Sequence, residues 1–320
     1  MSHPESSIPA SRRNAIFMTC DENYFPYTLF LASEISKGTP DRNFDICVIH
    51  DGDAPHHPLM DIHNIRLIPF DQSEHLAGIE VNRHLSIATF QRIFVPEMLR
   101  EDYDRLFYLD TDILYRRGDI NRLFEMDMRG HPVAAVLDTG QHRKLSRHMT
   151  EFKAARLPRK PYFNAGVMLI DVAAYIDQDI AQKAMGFARI DDPKLTVHND
   201  QSALNLALYD NWLELSPVWN WPTFHHYISY RHFADPCLLH FMGKAKPWND
   251  AMGLHAAQDV NAYRRFVAEH FPELLATFPV RKVHDGQSWK WPALLLREAK
   301  DYRRIRPYLM RFSDDDFEVK

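Results

Sequence analysis

Ten residues, Leu106-Phe-Tyr-Leu-Asp-Thr-Asp-Ile-Leu-Tyr115, constrain this chain more than any other stretch, because they set Asp110 and Asp112 where an apolar strand runs out. A run this rich in Leu, Phe, Tyr and Ile reads as a buried strand. Two anionic side chains at its end repel unless a cation or a basic partner offsets them. Residues i and i+2 of a strand point to one side. Both carboxylates can therefore face one hard cation, Mn2+ or Mg2+. Taken alone, an Asp-x-Asp triplet also describes two solvated aspartates in a turn.

The segments around it alternate in type. A first strand is expected over Asn14-Ala-Ile-Phe-Met-Thr19, followed by a helix from Tyr24 to Lys37 that ends at Gly38. Strands come next at Phe44–Ile49 and Ile65–Phe70, then a helix from about Ile87 to Leu99 that leads into the Asp110 strand. Alternation of this kind predicts an α/β fold with a mostly parallel sheet flanked by helices. Ligands bind such sheets beyond the carboxyl ends of the strands, where Asp21 and the Asp110/Asp112 pair both fall. Farther on come a strand at Val133–Leu137, a basic irregular stretch over 141–161, and Phe163-Asn-Ala-Gly-Val-Met-Leu-Ile170. Gly166 there fits either a bulge or a close approach of backbone to ligand. Leu195–Leu208 reads as the start of another helix, with Asn199 or Asp200 near its N-terminus.

Length and composition exclude several classes. At 320 residues, with 45% hydrophobic and 25% charged, the chain can bury a large core and is neither disordered nor fibrous. A net charge of -5 leaves no overall nucleic-acid footprint. The three cysteines lack CxxC spacing, which argues against a disulfide framework or zinc ribbon and for a reducing, cytoplasmic location. Neither a secretory signal nor an apolar run of spanning length is visible. The expected organisation is a flexible leader over 1–13, a catalytic domain over 14–250 and a helical extension over 251–320.

Six short motifs then recur in a familiar order: Cys20-Asp-Glu-Asn-Tyr24, Ser86-Ile-Ala-Thr-Phe-Gln-Arg92, Leu109-Asp-Thr-Asp112, Phe163-Asn-Ala-Gly166, Asn199-Asp-Gln201 and His240-Phe-Met-Gly-Lys-Ala-Lys-Pro-Trp248. In this order the chain resembles the family 8 glycosyltransferases, retaining enzymes of the galactosyltransferase and glycogenin branch, over about residues 14 to 250. The resemblance implies a GT-A nucleotide-sugar fold, a UDP-sugar donor and a Mn2+ or Mg2+ ion held by Asp110, Asp112 and His240. Thr111 and Ala165, inside the same motifs, come with the donor-binding set.

Chemistry agrees with those implied roles. Departure of a sugar from a nucleotide diphosphate builds negative charge on a phosphate oxygen, which a divalent metal offsets. Gly243 suits a turn against the diphosphate, and Lys246 an ammonium aimed at its charge, with Lys244 as a nearby substitute. The resemblance puts Asp21 and Asn23 beside the uracil edge and Tyr24 against its face, with Thr19 assisting. As an alternative, Asp21 to Asn23 caps the first helix. Arg92 is implied at the donor sugar or diphosphate, with a surface arginine as the plain alternative. Asn164, Asp200 and Gln201 are implied to read sugar hydroxyls near the anomeric carbon. A glutamine amide is a poor nucleophile, so front-face substitution is favoured over double displacement, with Asp200 as the runner-up nucleophile. His84 resembles an acceptor-side histidine, or is an ordinary loop residue.

Near the C-terminus the charge balance reverses. Residues 281–311 carry nine Lys/Arg against three acidic residues, interleaved with apolar ones such as Trp289, Leu295, Ile305 and Tyr308. That pattern fits a helix lying on an anionic membrane surface at the inner face of the cell membrane, over about 281–312. It fits equally a helix whose apolar side packs on the main domain, and the acidic end after Ser313 weakens the membrane reading. The function expected is transfer of glucose or galactose from a UDP-sugar to a glycan or lipid-linked glycan acceptor, such as lipopolysaccharide or another surface polysaccharide, with an alpha linkage. Its rivals are a glycogenin-like self-glucosylating primer, a non-catalytic sugar-nucleotide or glycan-binding module, and a metal-dependent phosphohydrolase.

Overall fold

The computed structural model describes residues 6–52, 56–70, 88–223, 234–280 and 291–312. Strands β1 (Asn14–Cys20), β2 (Asp45–Asp51), β3 (Ile65–Phe70) and β4 (Arg105–Leu109) are parallel and lie in the order β3-β2-β1-β4. Their alternate residues feed two cores. From β1, Ile16 and Met18 enter one hydrophobic cluster while Ala15 and Phe17 enter the other. Burial on both faces is why these strands read as continuous apolar runs rather than as polar-apolar alternation. Between them, the helix Phe25–Gly38 buries Leu29, Phe30, Leu31 and Ile35 on the first core.

The sheet continues with β6 (Val133–Leu137), β7 (Phe163–Asp171) and β8 (Leu213–Glu214), in the order β4-β7-β6-β8. Strand β7 is antiparallel to both β4 and β6. Because of that reversal, the beginning of β7, and not its end, lies at the carboxyl ends of the parallel strands. Its pairing with β6 jumps register between Ala135 and Val136, so the backbone bulges through Ala165-Gly166-Val167.

A second, small sheet joins β5 (Ile113–Tyr115), β9 (Trp221–Pro222) and β10 (Leu238–His240). Asp110 and Asp112 are thus not strand residues. They occupy the turn between β4 of the large sheet and β5 of the small one. The expected i, i+2 argument on a strand does not apply, and the carboxylates converge because the chain crosses between sheets. Pairing of Ile113 with His240 across β5 and β10 puts the imidazole beside the turn.

Residues 6–11, expected to be loose, are tied to the sheet. Ser7 exchanges hydrogen bonds of 2.9 Å with Leu67, and Arg66 donates to the Ile8 carbonyl. At the other end, the helix Ala257–His270 sends Tyr263, Phe266 and Val267 into the first core, and the Tyr263 hydroxyl donates to the Ile113 carbonyl. The last helix, Trp291–Leu309, buries Ile305 and Tyr308, and the Tyr308 ring stacks on His142 at 4.3 Å. Asp301, also buried, pairs with Arg143. One face of this helix therefore packs on the main domain, and Leu296, Tyr302 and Met310 are exposed. Among the described residues no helix is long and apolar enough to cross a membrane. His84 and residues 281–290 lie outside the described residues.

Candidate active site

Asp110, Asp112 and His240 present ligating atoms that all lie within 4.8 Å of one another. His240 Nε2 is 3.5 Å from Asp110 Oδ2 and 3.2 Å from Asp112 Oδ1. Despite that proximity, Asp112 Oδ1 is buried and accepts no well-formed hydrogen bond. A buried carboxylate oxygen without a donor, two further oxygen and nitrogen ligands and a shared focus fit a hard or borderline divalent cation. Burial pushes the Asp112 carboxyl up, but His240 and Lys246 beside it outweigh burial and hold it below the usual carboxylate range. It is ionised at any ordinary pH.

Lys246 is placed on this cluster. Its Nζ pairs with Asp112 Oδ2 and donates to the Phe241 carbonyl at 2.8 Å. The turn through exposed Gly243 has a φ of +88°, which glycine adopts without strain. Beyond it, Trp248 stacks flat on Tyr27 at 3.8 Å and meets the edge of Tyr24 at 5.9 Å, so the Lys246 segment and the Tyr24 segment meet. Asp21 Oδ1 accepts from the Tyr24 amide at 3.0 Å in the turn ahead of the helix, whose N-cap is Tyr24 and carries no side-chain cap, so the expected capping by Asp21 to Asn23 is not formed. Asn23 is exposed. Thr19 is buried with its hydroxyl engaged on Tyr108.

Arg92 is not a surface residue. It is buried, with Nη1 2.9 Å from Asp110 Oδ1 and from the Ala165 carbonyl, and Nε 3.1 Å from Asp200 Oδ2. The guanidinium also lies over the Tyr108 ring, 4.5 Å from its centre, while the Tyr108 hydroxyl donates to Asp110 Oδ1 at 2.5 Å. Burial lowers the Arg92 pKa, and the two carboxylates outweigh it, so the charge is secure. At Asp200 burial wins instead: its carboxyl is pushed up to about 6 despite Arg92.

Asn164, Ala165 and Gln201 form the next layer. Gln201 Oε1 accepts from Asn164 Nδ2 at 3.0 Å and from the Ala165 amide at 3.1 Å, and its Nε2 donates to Asp138 Oδ2 at 3.2 Å. Asp200 and Gln201 start the helix Asp200–Ala207, five residues later than the sequence pattern suggests. The preceding Asn199 has a φ of +51° and a ψ of -116°, outside the left-handed helical region and strained for a residue with a side chain. One turn on, Asn205 exchanges two hydrogen bonds with the Phe163 backbone, clamping the start of β7 to this helix.

Gly166 explains why Asn-Ala-Gly interrupts the strand. A Cβ there would lie 2.4 Å from His240 Cε1 and 2.6 Å from Asp110 Oδ2. Two site residues escaped the sequence reading. Asp138 ends β6 with an acid, the signal already used for Asp21 and Asp110. Asn220 sits between the buried Trp219 and Trp221, a polar residue in an apolar run.

A protein-family model described as glycosyl transferase family 8 matches residues 15–252. The chain belongs to glycosyl transferase family 8. Among family relatives, General stress protein A of Bacillus subtilis is 33% identical over 202 residues, which are 58% of this chain and 67% of that protein. The lipopolysaccharide 1,3-galactosyltransferase of Salmonella typhimurium is 25% identical over 184 residues, 55% of this chain and 53% of that one. Matches to the Streptococcus pneumoniae glycosyltransferases GlyF and GlyA span 43% and 33% of those proteins. Among solved structures, the galactosyltransferase LgtC in complex with donor and acceptor sugar analogues has a TM-score of 0.62 at 22% identity, covering 88% of this chain and 99% of that one. This family 8 chain has the GT-A fold, with its central mixed sheet flanked by helices.

The geometry makes two measurable demands. Gly166→Ala is expected to weaken Mn2+ binding at least tenfold, on the order of a lost outer contact to a metal ligand, while far-ultraviolet circular dichroism stays unchanged. Calorimetric titration with Mn2+ checks it, and wild-type affinity would refute the close-approach argument. Asp200 gives a pH test in metal-free protein. Its folded pKa of about 6 lies above the ordinary 3.8, so the folded state holds the proton more tightly. The cost of ionising it in place is absent below pH 4 and complete above pH 6. Relative to wild type, Asp200→Asn should therefore gain about 3 kcal/mol of stability between pH 4 and pH 7. Urea unfolding at both pH values measures this, and a difference that stays flat or reverses contradicts the assignment.

Proposed function

We propose that this family 8 chain is a divalent-metal-dependent, retaining hexosyltransferase that moves glucose or galactose from a UDP-sugar to a glycan acceptor, forming an alpha linkage. The observation that carries the reading is the Asp110/Asp112/His240 donor set with Lys246 against it, at the mouth where Asn164, Asp200 and Gln201 also gather. Asp110, Asp112 and His240 hold the cation, Mn2+ or Mg2+. When bound, it offsets charge on the leaving diphosphate. Lys246 moves its ammonium from Asp112 to a diphosphate oxygen. Asp21 and Asn23 take the uracil edge, and Tyr24 its face.

In the reaction the bond from C1 to the phosphate oxygen breaks and its electron pair leaves with UDP. The acceptor oxygen bonds to C1 on the same face, and its proton passes to the departing phosphate oxygen. Gln201 offers no anionic oxygen for covalent attack, and its amide is already committed to Asn164, Ala165 and Asp138. Asp200 Oδ2 faces the Arg92 guanidinium. Both facts favour the front-face route over a covalent glycosyl-enzyme. We take the acceptor to be lipopolysaccharide or another surface polysaccharide, from the named activity of the Salmonella relative. The outward Leu296, Tyr302 and Met310, alongside Arg303 and Arg306, suit contact with the anionic inner face of the cell membrane.

A screen of UDP-, GDP- and ADP-sugars with and without Mn2+ tests the proposal. UDP-glucose or UDP-galactose turnover should require metal and fall at least about a hundredfold in Asp112→Ala, the range seen when a single charge-stabilising group is removed. Equal, metal-independent turnover in both proteins would refute it. Stable labelling of the protein by radiolabelled UDP-glucose alone would instead favour the self-glucosylating primer. Sedimentation with phosphatidylserine vesicles tests the membrane contact. Binding should fall with added salt and in an Arg303→Glu/Arg306→Glu variant, and wild-type protein left in the supernatant at low salt would reject it.

A further inference from the structure

Three side chains connect the Asp138 carboxylate to the metal-facing imidazole. Gln201 Nε2 donates to Asp138 Oδ2 at 3.2 Å, Asn164 Nδ2 to Gln201 Oε1 at 3.0 Å, and Asn220 Nδ2 to Asn164 Oδ1 at 2.8 Å. His240 Nδ1 then lies 2.8 Å from Asn220 Oδ1. The direction of each amide is fixed by groups that can act in only one way. Asp138 also accepts from the Gly140 amide, and the Ala165 and Gly166 amides can only donate, to Gln201 Oε1 and Asn164 Oδ1. Each oxygen so identified forces the next amide to turn its NH2 toward it. At the end of the series Asn220 has its NH2 on Asn164, so its oxygen must face His240.

We infer that Asn220 is a positioning residue that holds His240 in the Nδ1–H form, with the Nε2 lone pair aimed at the cation, and that ties this ligand to the Asn164/Gln201 sugar-side pair. Asn220 is fully buried, between Trp219 and Trp221, and its side-chain amide bonds Asn164 and His240. Its backbone position is set just before β9, whose Pro222 pairs with His240 itself. A neutral imidazole that donates from one nitrogen presents the other as a ligand, and outer partners of this kind raise metal affinity about 10- to 100-fold. The inference rests on the metal-dependent reading above.

The test titrates Mn2+ into wild type, Asn220→Leu, Asn220→Asp and Asp112→Ala, by calorimetry in the presence of UDP. Leucine keeps the branched shape and removes the acceptor. Aspartate keeps an acceptor for Nδ1–H and loses the donor to Asn164. Expected are affinity lowered about 10- to 100-fold in Asn220→Leu, affinity near wild type in Asn220→Asp, and little binding in Asp112→Ala. Wild-type affinity in a folded Asn220→Leu would overturn the role of Asn220 and leave the metal reading standing. Absence of Mn2+ binding in wild type would overturn both. If Asn220→Leu does not fold, 15N histidine spectra of the Zn2+-loaded wild type decide. An Nδ1–H on the metal-bound imidazole supports the inference, and metal on Nδ1 refutes it.

Discussion

Asp110 and Asp200 flank a single guanidinium, and the charge between them makes that arrangement tolerable. Arg92 reaches it from the helix Ala88–Met98. Its planar fork serves the turn after β4, the carbonyl of Ala165 and the first residue of the helix Asp200–Ala207 together, while its face lies on Tyr108. A lysine ammonium could not meet these directions at once. Removing such a partner from buried carboxylates costs about 3–5 kcal/mol, because the remaining charge is stranded. Three separate chain segments therefore keep their mutual placement through one side chain. The compensation is incomplete, since burial still raises Asp200.

Sheet topology explains how the other side of the crevice is built. Parallel strands deliver only the residues just past their carboxyl ends, such as Asp21 and Asp110. The antiparallel β7 adds the start of a strand to the same place, and its bulge lets Gly166 pass between His240 and Asp110. The small sheet then brings His240 in from a segment more than a hundred residues away in sequence. None of these three contributions is local.

That distinction separates the features legible in the sequence from the rest. Strand β3 falls on Ile65–Phe70 as expected, and β1, β2 and the first helix lie within two residues of the expected ends, because hydrophobic runs and flanking turns encode them directly. The acidic stops at Asp21 and Asp110 were readable from strand ends alone. Strand reversal at β7 was not, since an apolar run carries no direction. Nor was the split of Leu106–Tyr115 between two sheets, because both halves are equally apolar. The motifs of family 8 named Asn164, Gln201, His240 and Lys246, but could not say that Gln201 spends its amide on Asp138 or that Thr19 turns toward Tyr108. Asn220 stayed hidden because its significance lies in a pairing with His240 that only β9 and β10 create.

The amide series from Asp138 to Asn220 differs in kind from a chain of hydroxyls or waters. A hydroxyl can take a proton on one side and release another from the other side, so a row of them conducts. Carboxamides have no such low-energy path, and here each is held in one direction by a backbone amide or a carboxylate. The series therefore behaves as a proton insulator that is mechanically stiff. No proton passes between Asp138 and His240 by this route. The two ends of the site share alignment without sharing protonation state.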